Sequence, residues 1–196
     1  IFTIPDAVFH LPFRYEDRSF ITPISEANYQ TPVLIEGEIM KSTVVFRGRR
    51  MLFSEIYDGT GRLTMRMFNF AMAQHKALEE GKMIRCFGTI TPGPNGKQMI
   101  HPQYQVFEKD DTIEVEKNLT PIYPTTSGLQ QNKLKKIIES SLEFCDKNDL
   151  LKEESENKEY SDYGNLLETL KFLHKPPVET NLNELIEGKH PAQQSL

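Results

Sequence analysis

The stretch DGTGRLTMRMFNF, residues 58–70, decides the fold. Asp58-Gly59-Thr60-Gly61 is a turn signal, because glycine accepts the positive φ that tight strand connections demand. From Arg62 the chain alternates. Leu63, Met65 and Met67 fall on one side, and Arg62, Thr64, Arg66, Phe68 and Phe70 on the other. A period of two marks a strand with one buried face. The apolar side is expected to face a core, and the side with two arginines and two phenylalanines to face outward.

Upstream, Met51 to Tyr57 alternates in the same way, preceded by the basic turn Phe46-Arg47-Gly48-Arg49-Arg50. Before that turn, Val33, Ile35, Gly37 and Ile39 alternate with Glu36 and Glu38. Downstream, Ala71 to Glu80, closed by Gly81, reads as a short helix with its C-terminal glycine. Met83 to Ile90 and Gln98 to Phe107 then read as a second hairpin across PGPNG, residues 92–96. Three strands, a helix and two strands is the chain order of an OB-fold, a five-stranded Greek-key barrel. An SH3-like barrel also has five strands but would not place a ten-residue helix at that joint.

The flanks read as helical. Residues 1–32 are broken by Pro5, Pro12, Pro23 and Pro32; Ala7 to Leu11 suggests a helical turn that Pro12 blocks. Residues 12–19, PFRYEDRS, read as an ordered surface strap. Leu134, Ile137, Ile138 and Leu142 mark a helix between Leu129 and Cys145, with lysines on its opposite face. Asp146 to Ser161, rich in Lys, Glu, Asp and Asn, reads as a solvated loop or an exposed helix end. Leu166, Leu167, Leu170 and Leu173 mark another helix, ended before Pro176-Pro177, and a last turn around Leu182 and Leu185 stops at Gly188. The expected class is mainly β with helical flanks (α+β): an N-terminal segment 1–32, an OB-fold barrel 33–108, and an extended linker with helices 109–196.

Composition bounds the chemistry. The 196 residues are 38% hydrophobic, enough for a lean core. No run of 18 apolar residues exists to span a membrane, and the N-terminus has no signal-peptide pattern. It does not begin with Met, so a longer parent is expected. Cys86 and Cys145 have no CxxC spacing or His partner, which points to reduced thiols in a cytosolic protein and not to zinc. The net charge of −5 conceals an asymmetry: ten Lys and Arg face six Asp and Glu between Val33 and Phe107. Basic charge gathered in one segment is the footprint of a nucleic-acid partner.

ATP hydrolysis within the chain is not expected. The Gly-Lys pairs at 81–82, 96–97 and 188–189 lack the following Ser or Thr and the upstream glycine of a phosphate loop. His75, His101, His174 and His190 have no identifiable nucleophile or orienting carboxylate, so no catalytic residue and no metal ligand is assigned. Cations and flat rings on the outer face of the Arg62–Phe70 strand suit phosphates and stacked bases. The competing placement puts Phe68 and Phe70 beneath the neighbouring helix or the flanks. At the tip, Phe46 sits amid Arg47, Arg49 and Arg50, where OB-folds contact nucleic acid through the loop joining their first two strands.

The string LPFRYEDR, residues 11–18, resembles the LPxRYEDR segment that precedes the wedge domain of RecG helicases. The likeness continues through Gly37-Glu38, Gly48-Arg49-Arg50-Met51, Asp58-Gly59-Thr60-Gly61, Leu63-Thr64-Met65-Arg66 and Phe68-Asn69-Phe70. It runs on through Met99-Ile100-His101-Pro102, LTPIYPTT (119–126), Leu173-His174-Lys175-Pro176-Pro177 and His190-Pro191-Ala192-Gln193. The resemblance implies a bacterial, monomeric, cytoplasmic, nucleoid-associated DNA translocase that remodels stalled forks and Holliday junctions in repair and recombination. Its OB-fold wedge splits strands at the branch point, while ATP and magnesium belong to motor domains outside this chain. Transferred to this sequence, Phe46 and Phe68 are the first base-contact candidates, with Phe70 beside them. Arg47, Arg49, Arg50 and Arg66 are the phosphate candidates. Branched DNA is the implied partner. A second reading makes the same face a docking site for the tail of a single-strand-binding protein. A third, an RNA-binding OB domain of translation type, is disfavoured by the helical flanks.

Overall fold

The computed structural model describes residues 3–126, 128–151 and 165–196, with Arg47 described by its backbone. Its elements are α1 (Ile4–Val8), β1 (Arg14–Glu16), β2 (Pro32–Arg47), β3 (Arg49–Tyr57), β4 (Arg62–Phe68), α2 (Met72–Ala77), β5 (Met83–Gly93), β6 (Gly96–Ile100), β7 (Gln103–Phe107) and β8 (Thr120–Ile122). After them come α3 (Gln131–Lys147), α4 (Leu166–His174), α5 (Leu182–Ile186) and α6 (Pro191–Gln194).

Strand β2 is long enough to serve two neighbours. Residues Pro32–Glu38 pair antiparallel with β5, and Glu38–Arg47 pair with β3 across a bulge between Ile39 and Lys41. The sheet order β2-β3-β4-β6-β5 then closes on itself through β2·β5, with β4·β6 the one parallel pair among the named strands. This is the OB-fold topology that the chain order implies. Inward positions follow the period of two: Ile35, Ile39, Leu52, Ile56, Leu63, Met65, Ile84, Ile90 and Met99 are fully enclosed. Where β2 passes from one partner to the other, Gly37 is required. A Cβ there would lie 2.7 Å from the Tyr57 carbonyl oxygen and 2.8 Å from Ile56 Cγ2.

Two local expectations are corrected. Residues 98–107 form the expected hairpin with β5 but not as one unbroken strand: His101, at φ 50, and Pro102, which has no N–H to give, divide them into β6, paired with Ile90–Gly93, and β7, paired with Met83–Phe87. The helix expected over 71–80 is α2, Met72–Ala77. It stops early because the chain turns to bury Leu78 in the barrel and to let the Gly81 N–H reach the Ile39 carbonyl at 2.9 Å.

The domain boundaries differ as well. Phe20–Val115 form one compact unit, and residues 1–19 join 116–196 in the other. Residues 20–31 belong with the barrel because Ile24 and Ala27 are buried in its core. Lys97 Nζ also holds the Ile24 and Ser25 carbonyls, at 2.6 and 2.9 Å. Past β7 the chain stays with the barrel because the Arg85 guanidinium donates to the Ile113 and Glu114 carbonyls.

Asp58 locks the β3–β4 turn. Its carboxylate accepts the Ile24, Thr60 and Gly61 N–H groups, at 2.7, 2.8 and 2.9 Å, and the Thr60 hydroxyl. Partial burial pushes the carboxyl up, but these donors together outweigh it and hold the group below its ordinary value. A carboxyl lowered by folding stabilises the native state above its unfolded pKa of about 3.9, and that contribution is lost as pH falls through the folded value. Asp58→Asn is expected to cost roughly 1–2 kcal/mol at pH 7. In urea melts the gap between variant and parent should narrow towards pH 3; a gap independent of pH would show that the charge is not what holds the turn.

In the other unit, the strap expected at residues 12–19 contains β1, which pairs with β8. Val8, Tyr123, Leu134, Ile138, Leu142, Leu167 and Leu170 pack between α1, α3 and α4. Buried His174 bridges that core: its Nε2 donates to the Val8 carbonyl at 2.7 Å, leaving Nδ1 to accept the Tyr123 hydroxyl at 2.9 Å. Burial holds this imidazole below its usual pKa. The region expected to be a solvated loop or helix end, 146–161, completes α3 and a turn as far as Leu151; its remainder lies outside the described residues. Both cysteines are free and buried. No described helix is long and apolar enough to cross a membrane.

Candidate nucleic-acid interface

Strand β4 ends at Phe68, opposite Met51, so β2 and β3 run on past it to a hairpin tip at Gly48, φ 74. Phe46, 74% exposed, pairs with Arg50 beside that tip, and Arg47 pairs with Arg49. Alternation along the ribbon sorts these residues onto two faces. Arg49, Met51 and Phe53 share the outer face with Arg66 and Phe68 of β4, as the pairs Met51↔Phe68 and Phe53↔Arg66 require. Phe46 and Arg50 lie on the opposite face.

The outer face carries a cation–ring stack. The Arg49 guanidinium lies 4.1 Å from the Phe68 ring centroid, and that of Arg66 lies 4.8 Å from the same ring and 5.4 Å from Phe53. Arg66 Nη2 also meets Met51 Sδ at 3.4 Å, while its Nε is buried with no hydrogen-bond partner. Among the described residues, Arg49, Arg50 and Arg66 form no ion pair. By contrast Arg62 is paired with Glu55, and Arg85 with Glu36. Uncompensated guanidinium groups held on flat rings suit a strand bringing phosphates and bases together.

Phe70 does not share this face. Asn69 takes a left-handed conformation, φ 52, which ends the alternation and turns Phe70 into the barrel core at 7% exposure. Arg50 follows it, with its guanidinium 5.0 Å from the Phe70 ring and its Nη2 3.4 Å from the Phe70 carbonyl. The interface therefore gathers Arg49, Arg66 and Phe68 on one face and sets Phe46 and Arg50 on the other. The sequence reading missed Phe53 and His101. Phe53 could have been found by counting register from the four-residue turn, since Tyr57↔Arg62 fixes Phe53↔Arg66. His101, whose ring centroid lies 5.3 Å from that of Phe68, is brought in by a left-handed break between β6 and β7 that has no local pattern.

Residues 1–145 match the family model described as the RecG wedge domain. The chain belongs to the RecG wedge family. The wedge is 39% identical to the ATP-dependent DNA helicase RecG of Escherichia coli K12, over 99% of this chain and 28% of that protein. It is 38% identical to the RecG of Haemophilus influenzae, over 100% of this chain and 28% of that protein. A solved structure of RecG bound to a three-way DNA junction superposes with a TM-score of 0.70 at 21% identity. That superposition covers 95% of the wedge chain and 26% of the other, and it supports the fold. The chain spans little more than a quarter of the curated relatives it matches.

Proposed function

We propose that this wedge binds branched DNA and splits strands at the branch point. The parent would be an ATP-dependent helicase that regresses forks in repair and recombination. The observation that carries the proposal is the group of three arginines that form no ion pair among the described residues, two of them stacked on Phe68, beside a projecting tip flanked by exposed Phe46. A ribbon with a ring and at least one arginine on each face is shaped to meet unstacked bases on both sides of a branch. The structure of RecG on a three-way junction is consistent with that substrate.

The Gly-Lys pairs, where ATP and magnesium would be sought, are engaged in other contacts. Lys97 holds two backbone carbonyls, Lys82 is paired with Glu79 and Glu108, and Lys189 with Glu187. Each Gly-Lys pair thus has a structural use, and the motors would lie elsewhere in the parent.

The test is binding of a fluorescent three-way junction and a linear duplex by the 196-residue chain across a salt series. Tighter binding of the junction is expected, with log affinity falling against log salt at a slope of about −3 to −4 if Arg47, Arg49, Arg50 and Arg66 each meet one phosphate. Equal binding of both DNAs, or a flat salt response, would remove the proposal. The same unpaired arginines would also suit the acidic, apolar tail of a single-strand-binding protein. Displacement of the junction by such a tail peptide would indicate one shared surface.

A further inference from the structure

We infer that His101 is a positioning residue that presents the Phe68 ring in one fixed orientation to DNA; this rests on the reading of Phe68 as a base platform. His101 follows the last residue of β6 at φ 50, a left-handed conformation that L residues other than Asn, Asp and His seldom adopt. It also precedes Pro102, and the residue before a proline is ordinarily extended. His101 is exposed, so burial does not explain why the fold keeps this conformation.

What the conformation achieves is visible in its contacts. The His101 N–H donates to the Arg66 carbonyl at 3.0 Å, at the end of the β4·β6 ladder. Its imidazole Nε2 accepts the Phe68 N–H at 3.2 Å. A peptide N–H can only donate, so Nε2 is the bare nitrogen and the proton sits on Nδ1. One residue therefore fastens both ends of Arg66-Met67-Phe68, and its ring lies against Phe68 at an interplanar angle of 56°. On the other side of Phe68, left-handed Asn69 ends the strand. Strained backbone on both sides of one exposed-face ring is the mark of a group set in place before its ligand arrives. A ring already ordered loses less freedom when a base stacks on it.

The test is a double-variant cycle on the full 196-residue chain with the fluorescent three-way junction. His101→Gly accepts the left-handed backbone and removes only the imidazole; His101→Gln returns an acceptor near the place of Nε2. His101→Gly is expected to weaken junction binding about 3- to 30-fold. Added to Phe68→Ala it should cause no further loss, and His101→Gln should recover most of the affinity. Phe68 replaced by 4-fluorophenylalanine should give a sharp fluorine signal in the parent and in His101→Gln, and a shifted or broadened one in His101→Gly, before any DNA is added. The inference is overturned if Phe68→Ala weakens binding while His101→Gly does not, or if the two losses simply add. If Phe68→Ala itself leaves binding unchanged, the platform reading falls and this inference with it.

Discussion

Phe68→Ala is expected to weaken three-way-junction binding by about 1–3 kcal/mol, roughly 5- to 150-fold, the range for one base stacked on one ring. The fold should lose much less. Phe68 is only partly buried, and what its ring gives the native state is chiefly its contacts with Arg49, Arg66 and His101. Exposed cation–ring contacts contribute about 0.5–1 kcal/mol each. Phe70, two residues on, supplies the contrast. It lies in the barrel core, so Phe70→Ala should cost about 3 kcal/mol or more of stability. At temperatures where that variant stays folded, junction affinity should change little. Anisotropy titrations and thermal melts on the two variants decide the matter: if Phe70→Ala removes binding from a folded protein and Phe68→Ala does not, the two rings have been assigned the wrong way round.

That contrast also marks how far the sequence could be read. The barrel was legible because its signals are local: glycine turns at 58–61 and 92–96, and inward residues that alternate without error from Leu63 to Met67. Arg66 and Phe68 followed from the same alternation. Phe70 did not, because a single left-handed Asn69 reverses the face of everything after it. Asn adopts that conformation more readily than most residues but does not announce it. His101 failed for a similar reason, compounded by Pro102. The division into units was illegible on other grounds. Tyr15, Leu119, Leu173 and Leu185 form one cluster from segments far apart in the chain, and no periodicity links them. The Tyr15 hydroxyl donating to the Leu173 carbonyl at 2.7 Å fixes residues 1–19 to the C-terminal helices, a long-range contact that only the folded chain reveals.

Arg66→Met should separate holding the fold from holding DNA. Arg66 is an awkward residue for the fold: among the described residues its buried Nε has no acceptor and its charge no carboxylate partner, and its neighbours are Met51, Phe53 and Phe68. A buried donor left unsatisfied costs about 1–3 kcal/mol. The two ring contacts return only part of that. Methionine keeps most of the apolar stem and fits among Met51 and the rings without a stranded N–H. Thermal stability is therefore expected to hold or rise, by about 1 kcal/mol. Junction affinity should move the other way, falling by about 1.5–3 kcal/mol, roughly 10- to 150-fold, as a charge-assisted phosphate contact is lost. The loss should grow as salt is lowered, because the salt slope of the variant is shallower by about one unit. Arg62→Met gives the control: Arg62 is already paired with Glu55, so its removal should change affinity far less. A fold that loosens in Arg66→Met while its salt slope stays that of the parent would make Arg66 a structural residue and leave the outer face without its central phosphate contact.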